Sequence, residues 1–145
     1  MKNANNYLRL KAELAADVSI LRALLEKNRR ATIRALNSGN ADEFAWAAGA
    51  ILIHNIYCLF ENYFLRVSTF FENGLDATAW HAQLVERIDE LRRFRHAFCN
   101  LYQTELDIER VKLLNDSIPR IIENFMPFHH RYSQALELLA DESLA

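Results

Sequence analysis

The chain has 145 residues, a formal net charge of -2 and a sequence pI near 6.2, which excludes bulk electrostatic capture of nucleic acid and leaves only local patches for contact with phosphate. Hydrophobic residues make up 51%, with only three Gly and two Pro, so there is little material for turns and the composition calls for one all-helical domain, residues 1–145, with a substantial core. The two cysteines, Cys58 and Cys99, sit in apolar helical patterns without metal-ligand spacing and with no signal-type leader before them; they read as reduced thiols of a cytoplasmic protein that needs no metal and no cofactor.

Tyr7, Leu10, Leu14, Val18, Leu21 and Leu25 step by three or four, which predicts a first helix over 6–36 with Arg9, Lys11, Glu13 and Asp17 solvated. Its last part carries Arg29, Arg30 and Arg34. They either complement the negative end of the helix dipole or form a phosphate-binding patch. Asn37-Ser38-Gly39-Asn40 ends the helix, and Asn40 with Glu43 has the spacing of a capping box for a second helix over 41–73. That helix is apolar around much of its circumference, as suits an element surrounded by others. Its longest uncharged run, Phe44 to Phe60, is shorter than the roughly 20 residues of a membrane span and is interrupted by His54-Asn55, so it reads as a core helix. His54, Tyr57 and Glu61 share one side of it, either as a satisfied polar cluster that fixes helix register or as support for a cation elsewhere.

Asp76 suits the N-cap of a third helix, in which Trp80, Leu84, Ile88, Leu91, Phe94, Phe98 and Leu101 keep unbroken helical spacing. Glu105-Leu106-Asp107 turns the chain, with Asp107 capping a short helix through Leu114. Asn115-Asp116-Ser117 reads as a break, and Ser117 with Pro119 as the first turn of a last helix whose stripe is Ile118, Ile121, Phe125, Phe128, Tyr132, Ala135 and Leu139. Pro127 predicts a kink, and the adjacent His129-His130, pointing about 100° apart, read as surface histidines. The expected architecture is therefore four long helices plus one short helix.

Chemistry-bearing side chains are concentrated in the third helix, in Arg92-Arg93-Phe94-Arg95-His96-Ala97-Phe98-Cys99-Asn100-Leu101-Tyr102. Leu91, Phe94, Phe98 and Leu101 form the buried stripe and leave Arg92, Arg95, His96, Cys99 and Gln103 along another side. Such a cluster is either a solvated basic face paired with carboxylates or the seat of an anion. Imidazole titrates near neutral pH and guanidinium grips phosphate bidentately, so His and Arg together suit metal-free phosphodiester cleavage.

Arg95-His96-x-x-x-Asn100-x-Tyr102 resembles the motif of the HEPN superfamily, in particular HepT-like ribonuclease toxins. Leu52 to Tyr57, Glu61-Asn62 with Phe64, Trp80-His81 with Leu84, and Glu105-Leu106-Asp107 follow the same family pattern in order, from about Leu8 to Leu139. Asn100 departs from it, standing where active members carry the essential His, and the connection between Trp80-His81 and the Arg motif is shorter than usual.

The resemblance implies an antiparallel HEPN-like bundle that forms a homodimer, with motif residues facing a shared groove. It implies a metal-independent endoribonuclease with Arg95, His96 and Asn100 at the catalytic positions, Arg92 and Arg93 on RNA phosphates, and His54 and Glu61 supporting Arg95. Transfer RNA is among the candidate substrates. It further implies a minimal nucleotidyltransferase antitoxin as partner, with Tyr102 the tyrosine that such a partner adenylylates. An amide cannot carry a proton near neutrality, and losing general acid–base help costs about 10²–10⁴-fold in rate. Asn100 thus leaves two readings, a toxin with weak activity or an inactive HEPN module that binds the nucleotidyltransferase or RNA. A third is a helical bundle whose basic stretch only decorates its surface.

Overall fold

A computed structural model describes residues 2–39, 42–70 and 107–145. The described residues form three long helices and no strand: α1 (Ala4–Ser38), α2 (Glu43–Phe70) and α3 (Ile108–Leu144). The predicted third helix, 76–101, lies outside the described residues.

The helix ends follow from local side-chain chemistry. Asn3 starts α1, its Oδ1 accepting from the Asn6 backbone N–H at 3.1 Å while Asn6 Oδ1 accepts from the Asn3 N–H at 3.0 Å. Two of the donors orphaned at a helix start are thereby satisfied. Gly39 stops the helix at φ 74, a left-handed value that only glycine adopts at no steric cost. The cap of α2 is Asp42 rather than the expected Asn40, because Asp42 Oδ1 accepts from the Ala45 N–H at 3.1 Å. Asp107 starts α3 as expected, accepting from the Arg110 N–H at 3.2 Å.

α3 corrects the division into a short and a last helix. It runs without interruption from Ile108 through Asn115-Asp116-Ser117 and past both Pro119 and Pro127. The turn-forming residues have found other partners: the Ser117 hydroxyl donates to the Leu114 carbonyl at 2.6 Å, and Asn115 bonds to Asn28 of α1. Nothing then draws the backbone out of the helix. Each proline still removes one helical hydrogen bond, to the carbonyls of Asn115 and Glu123.

Pairings between helices fix their directions. Arg66 near the end of α2 reaches Asp17 and Glu13 near the start of α1, and the Trp46 indole N–H near the start of α2 donates to the Gly39 carbonyl, so these two helices are antiparallel. Lys11 pairs with Glu137 at 3.0 Å and Asn28 with Asn115, so α3 is also antiparallel to α1. Lys112 lies over the Trp46 ring and His129 meets Tyr63, which makes α2 and α3 parallel.

The core lies where the three stripes meet. Leu14 and Leu21 of α1, Ile53, Ile56, Phe60, Tyr63 and Val67 of α2, and Val111 and Leu136 of α3 are almost wholly buried. Phe60, Tyr63 and Phe64 each meet Phe125 edge to face, an arrangement that satisfies the ring quadrupoles. Two expectations are corrected here. Asp17 is buried rather than solvated, at 6% exposure, because Arg66 crosses from α2 to within 3.0 Å of its carboxylate. His129 is buried at 7% rather than lying on the surface with His130, and the stripe of α3 beyond Phe125 runs through His129, Tyr132, Leu136 and Ala140.

By length and composition α2 is apolar enough to cross a membrane. Its pattern of burial is that of a core helix with one bare face. Phe44 (90% exposed), Ile51 (53%) and Leu65 (61%) stand outward at seven-residue multiples, with half-buried Cys58 completing the series.

Candidate functional site

Arg92, Arg93, Arg95, His96, Asn100 and Tyr102 all lie outside the described residues. What the structure places are the flanks: α2, which carries His54 and Glu61, and the start of α3 just beyond the Arg motif. His54 is half-buried, and its Nε2 lies 3.4 Å from the Cys58 sulfur one helical turn on. Tyr57 is buried and Glu61 is exposed, so the three residues on this side pass from core to surface rather than forming one buried cluster. His54 and Glu61 stand two turns apart on α2, a rise of about 10.5 Å, and Arg95, which they are expected to support, lies outside the described residues.

At the start of α3, Asp107 spends its carboxylate on the helix cap. Of the acids in Glu105-Leu106-Asp107, this one is structural. Among the described residues no three His, Cys, Asp or Glu side chains come together in a way that would hold a metal ion.

The basic end of α1 resolves toward local pairing. Arg29 donates from Nε and Nη2 to both carboxylate oxygens of Glu26, at 3.0 and 2.8 Å, and Arg30 approaches the same carboxylate at 3.9 Å. The bidentate bond holds Glu26 below, and Arg29 above, their ordinary pKa values. All three side chains remain at the surface, where such pairs are screened and weak.

Two polar clusters were not legible from one helix at a time. His129 Nδ1 and the Tyr63 hydroxyl are 2.8 Å apart inside the aromatic core. Burial lowers the His129 pKa, helped by the nearby His130 and Arg22, while burial and the Asp17 charge push the Tyr63 phenol up. Tyr132, buried one turn from His129, has its phenol raised for the same reason, with Tyr63 adding to the effect. These groups are held neutral in the core and have no route to a substrate among the described residues. The other cluster is Asn28 with Asn115, bridging α1 and α3 at 2.6 Å.

Comparison with known proteins locates the family signal in the C-terminal part of the chain. Residues 85–136 match the model of a family described as HepT-like protein. The matched stretch contains the whole Arg motif and α3 from Ile108 to the buried Leu136, but neither His54 nor Glu61. No curated protein and no solved structure matches the chain.

Proposed function

We propose that this chain, whose residues 85–136 carry the HepT-like family pattern, is the HEPN component of a cytoplasmic toxin–antitoxin pair, neutralised by a minimal nucleotidyltransferase. The observation that carries this reading is the overlap of the family match with Arg92, Arg93, Arg95, His96, Asn100 and Tyr102. In an ideal helix Arg95 and Asn100 diverge by about 140°, so two copies facing one groove are the simplest way to bring both to one phosphate. The bare series Phe44, Ile51 and Leu65 on α2 supports such a homodimer, because water-exposed apolar side chains at heptad spacing gain by facing a like surface.

In that groove Arg95 neutralises the phosphate undergoing attack, Arg92 and Arg93 hold the flanking phosphates of the RNA, and His96 is the remaining group able to move a proton. Adenylylation of Tyr102 by the partner would fill the groove with negative charge and bulk and so exclude RNA. Asn100 favours a second reading alongside this one, in which the chain no longer cleaves and serves as the binding half of the complex.

The discriminating experiment is cleavage of a transfer RNA and a single-stranded RNA in the presence of chelator by the parent protein, Asn100→His, and Asn100→His combined with Arg95→Ala. The parent is expected to be nearly inactive, the single variant to gain about 10²-fold or more, and the double variant to lose the gain. Strong chelator-resistant cleavage by the parent would assign the proton transfer to His96. No gain in Asn100→His would leave the binding module as the function.

A further inference from the structure

Cys58 interrupts the bare apolar series of α2. It stands one heptad step from Ile51 and one from Leu65, so the three lie within about 40° of one another around the helix. Cys58 is half-buried there, between neighbours that are 53% and 61% exposed. His54, also half-buried, precedes it by one turn, and its Nε2 lies 3.4 Å from the Cys58 sulfur. A tetrahedral zinc ion bound by a thiolate at about 2.3 Å and an imidazole nitrogen at about 2.1 Å holds those two atoms about 3.6 Å apart. The donor atoms themselves, and not only their backbone positions, are thus spaced as two corners of a zinc tetrahedron. The same distance serves a thiol–imidazole hydrogen bond within one chain, and the measurements below separate the two.

A structural zinc site takes four ligands, and one copy supplies two, since among the described residues no third His, Cys, Asp or Glu side chain joins them. The midpoint of the series from Phe44 to Leu65 falls between residues 54 and 55. A two-fold axis through the middle of this stripe, whether the two helices run parallel or antiparallel, brings the His54–Cys58 pair of one copy against the same pair of a second. We infer that His54 and Cys58 of two copies together bind one zinc ion at the dimer interface, an inference that rests on the homodimer proposed above. Two imidazole nitrogens and two sulfurs in tetrahedral arrangement suit zinc. Binding releases both thiol protons to solvent, and the two thiolates then balance the charge of the ion, so no net charge is buried between the apolar side chains that flank the site. All four positions are filled by protein, so the metal acts on assembly and takes no part in RNA cleavage. The apolar contacts hold the two copies together without it. Zinc, binding only the paired form, tightens them by mass action. Spacing between the cysteines gives no sign of such a site, because each copy contributes only one.

The test uses the full-length protein, kept reduced, stripped of metal and then titrated with zinc or with cobalt(II) as a spectroscopic stand-in. Native mass spectrometry should give one zinc per two chains, and cobalt should show the intense visible bands and thiolate charge transfer of a tetrahedral sulfur-bound centre. Sedimentation equilibrium should give a dimer dissociation constant at least about tenfold lower with zinc than without. Cys58→Ser and His54→Gln should each abolish the cobalt spectrum and the zinc effect while the metal-free variants dimerise as the parent does. One zinc per chain, zinc uptake that survives either substitution, or uptake that leaves the dissociation constant unchanged would overturn the inference. A metal-free dimer that takes up no zinc would overturn it and leave the homodimer standing, whereas a protein that stays monomeric with and without zinc would remove both.

Discussion

Removing the Tyr63 hydroxyl isolates one polar bond in the core. Tyr63 is 1% exposed, and its ring keeps its contacts with Phe64, Phe125 and His129 in Tyr63→Phe, so only the 2.8 Å bond to His129 Nδ1 is lost. The imidazole nitrogen is then left buried without that partner, which costs about 1–3 kcal/mol. For a chain of this length that corresponds to a fall in melting temperature of about 3–12 °C. A pH series separates the hydrogen bond from the charge. The His129 pKa is lowered in the folded protein, first by burial and then by His130 and Arg22, so between its folded value and an unfolded value of about 6.5 the unfolded chain binds the extra proton. Stability from this group is complete above about pH 6.5 and is lost as pH falls toward the folded value. Differential scanning calorimetry from pH 5 to 8 on the parent, Tyr63→Phe and His129→Phe is the assay. His129→Phe should flatten the slope between pH 5 and 6.5 while keeping an aromatic ring against Phe125. An unchanged melting temperature in Tyr63→Phe, or an undiminished slope in His129→Phe, would refute the picture of a neutral imidazole clamped by the phenol.

Arg66→Ala should destabilise the protein by about 1–3 kcal/mol in urea unfolding, between the values for exposed and buried pairs, because it strands a nearly buried Asp17 carboxylate while the guanidinium itself is half exposed. Lys11→Ala, which breaks a pair with the exposed Glu137, should cost less than about 1 kcal/mol. Light scattering after size exclusion should give a dimer for the parent at micromolar concentration and a monomer for Ile51→Glu, which places a charge in the middle of the bare face of α2; a monomeric parent would count against the shared groove. Arg95→Ala should weaken binding to short single-stranded RNA more than Arg29→Ala across a salt series, since Arg29 is already committed to Glu26, and equal losses would favour a purely solvated basic face.

The sequence alone determined what depends on neighbours along one helix. Leu10, Leu14, Val18 and Leu21 face the core because their spacing puts them on one stripe, Gly39 stops α1 because it tolerates positive φ, and Asp107 caps α3 because a short carboxylate reaches the N–H three residues on. The HepT-like signal was likewise legible, being a linear pattern of residue types between 85 and 136. Tertiary structure decided what depends on a partner from another helix. Asp17 reads as a solvated acid until Arg66 of α2 neutralises it, and His129 as a surface residue until the Tyr63 hydroxyl supplies a hydrogen bond that makes its burial affordable. Asn115-Asp116-Ser117 reads as a break because such side chains compete for the local backbone, and it stays helical because Asn28 takes the Asn115 amide and the Ser117 hydroxyl settles on the Leu114 carbonyl. Each of these residues carries a polar group whose cost or benefit is set by an atom far away in the chain, and spacing along one helix holds no information about that atom.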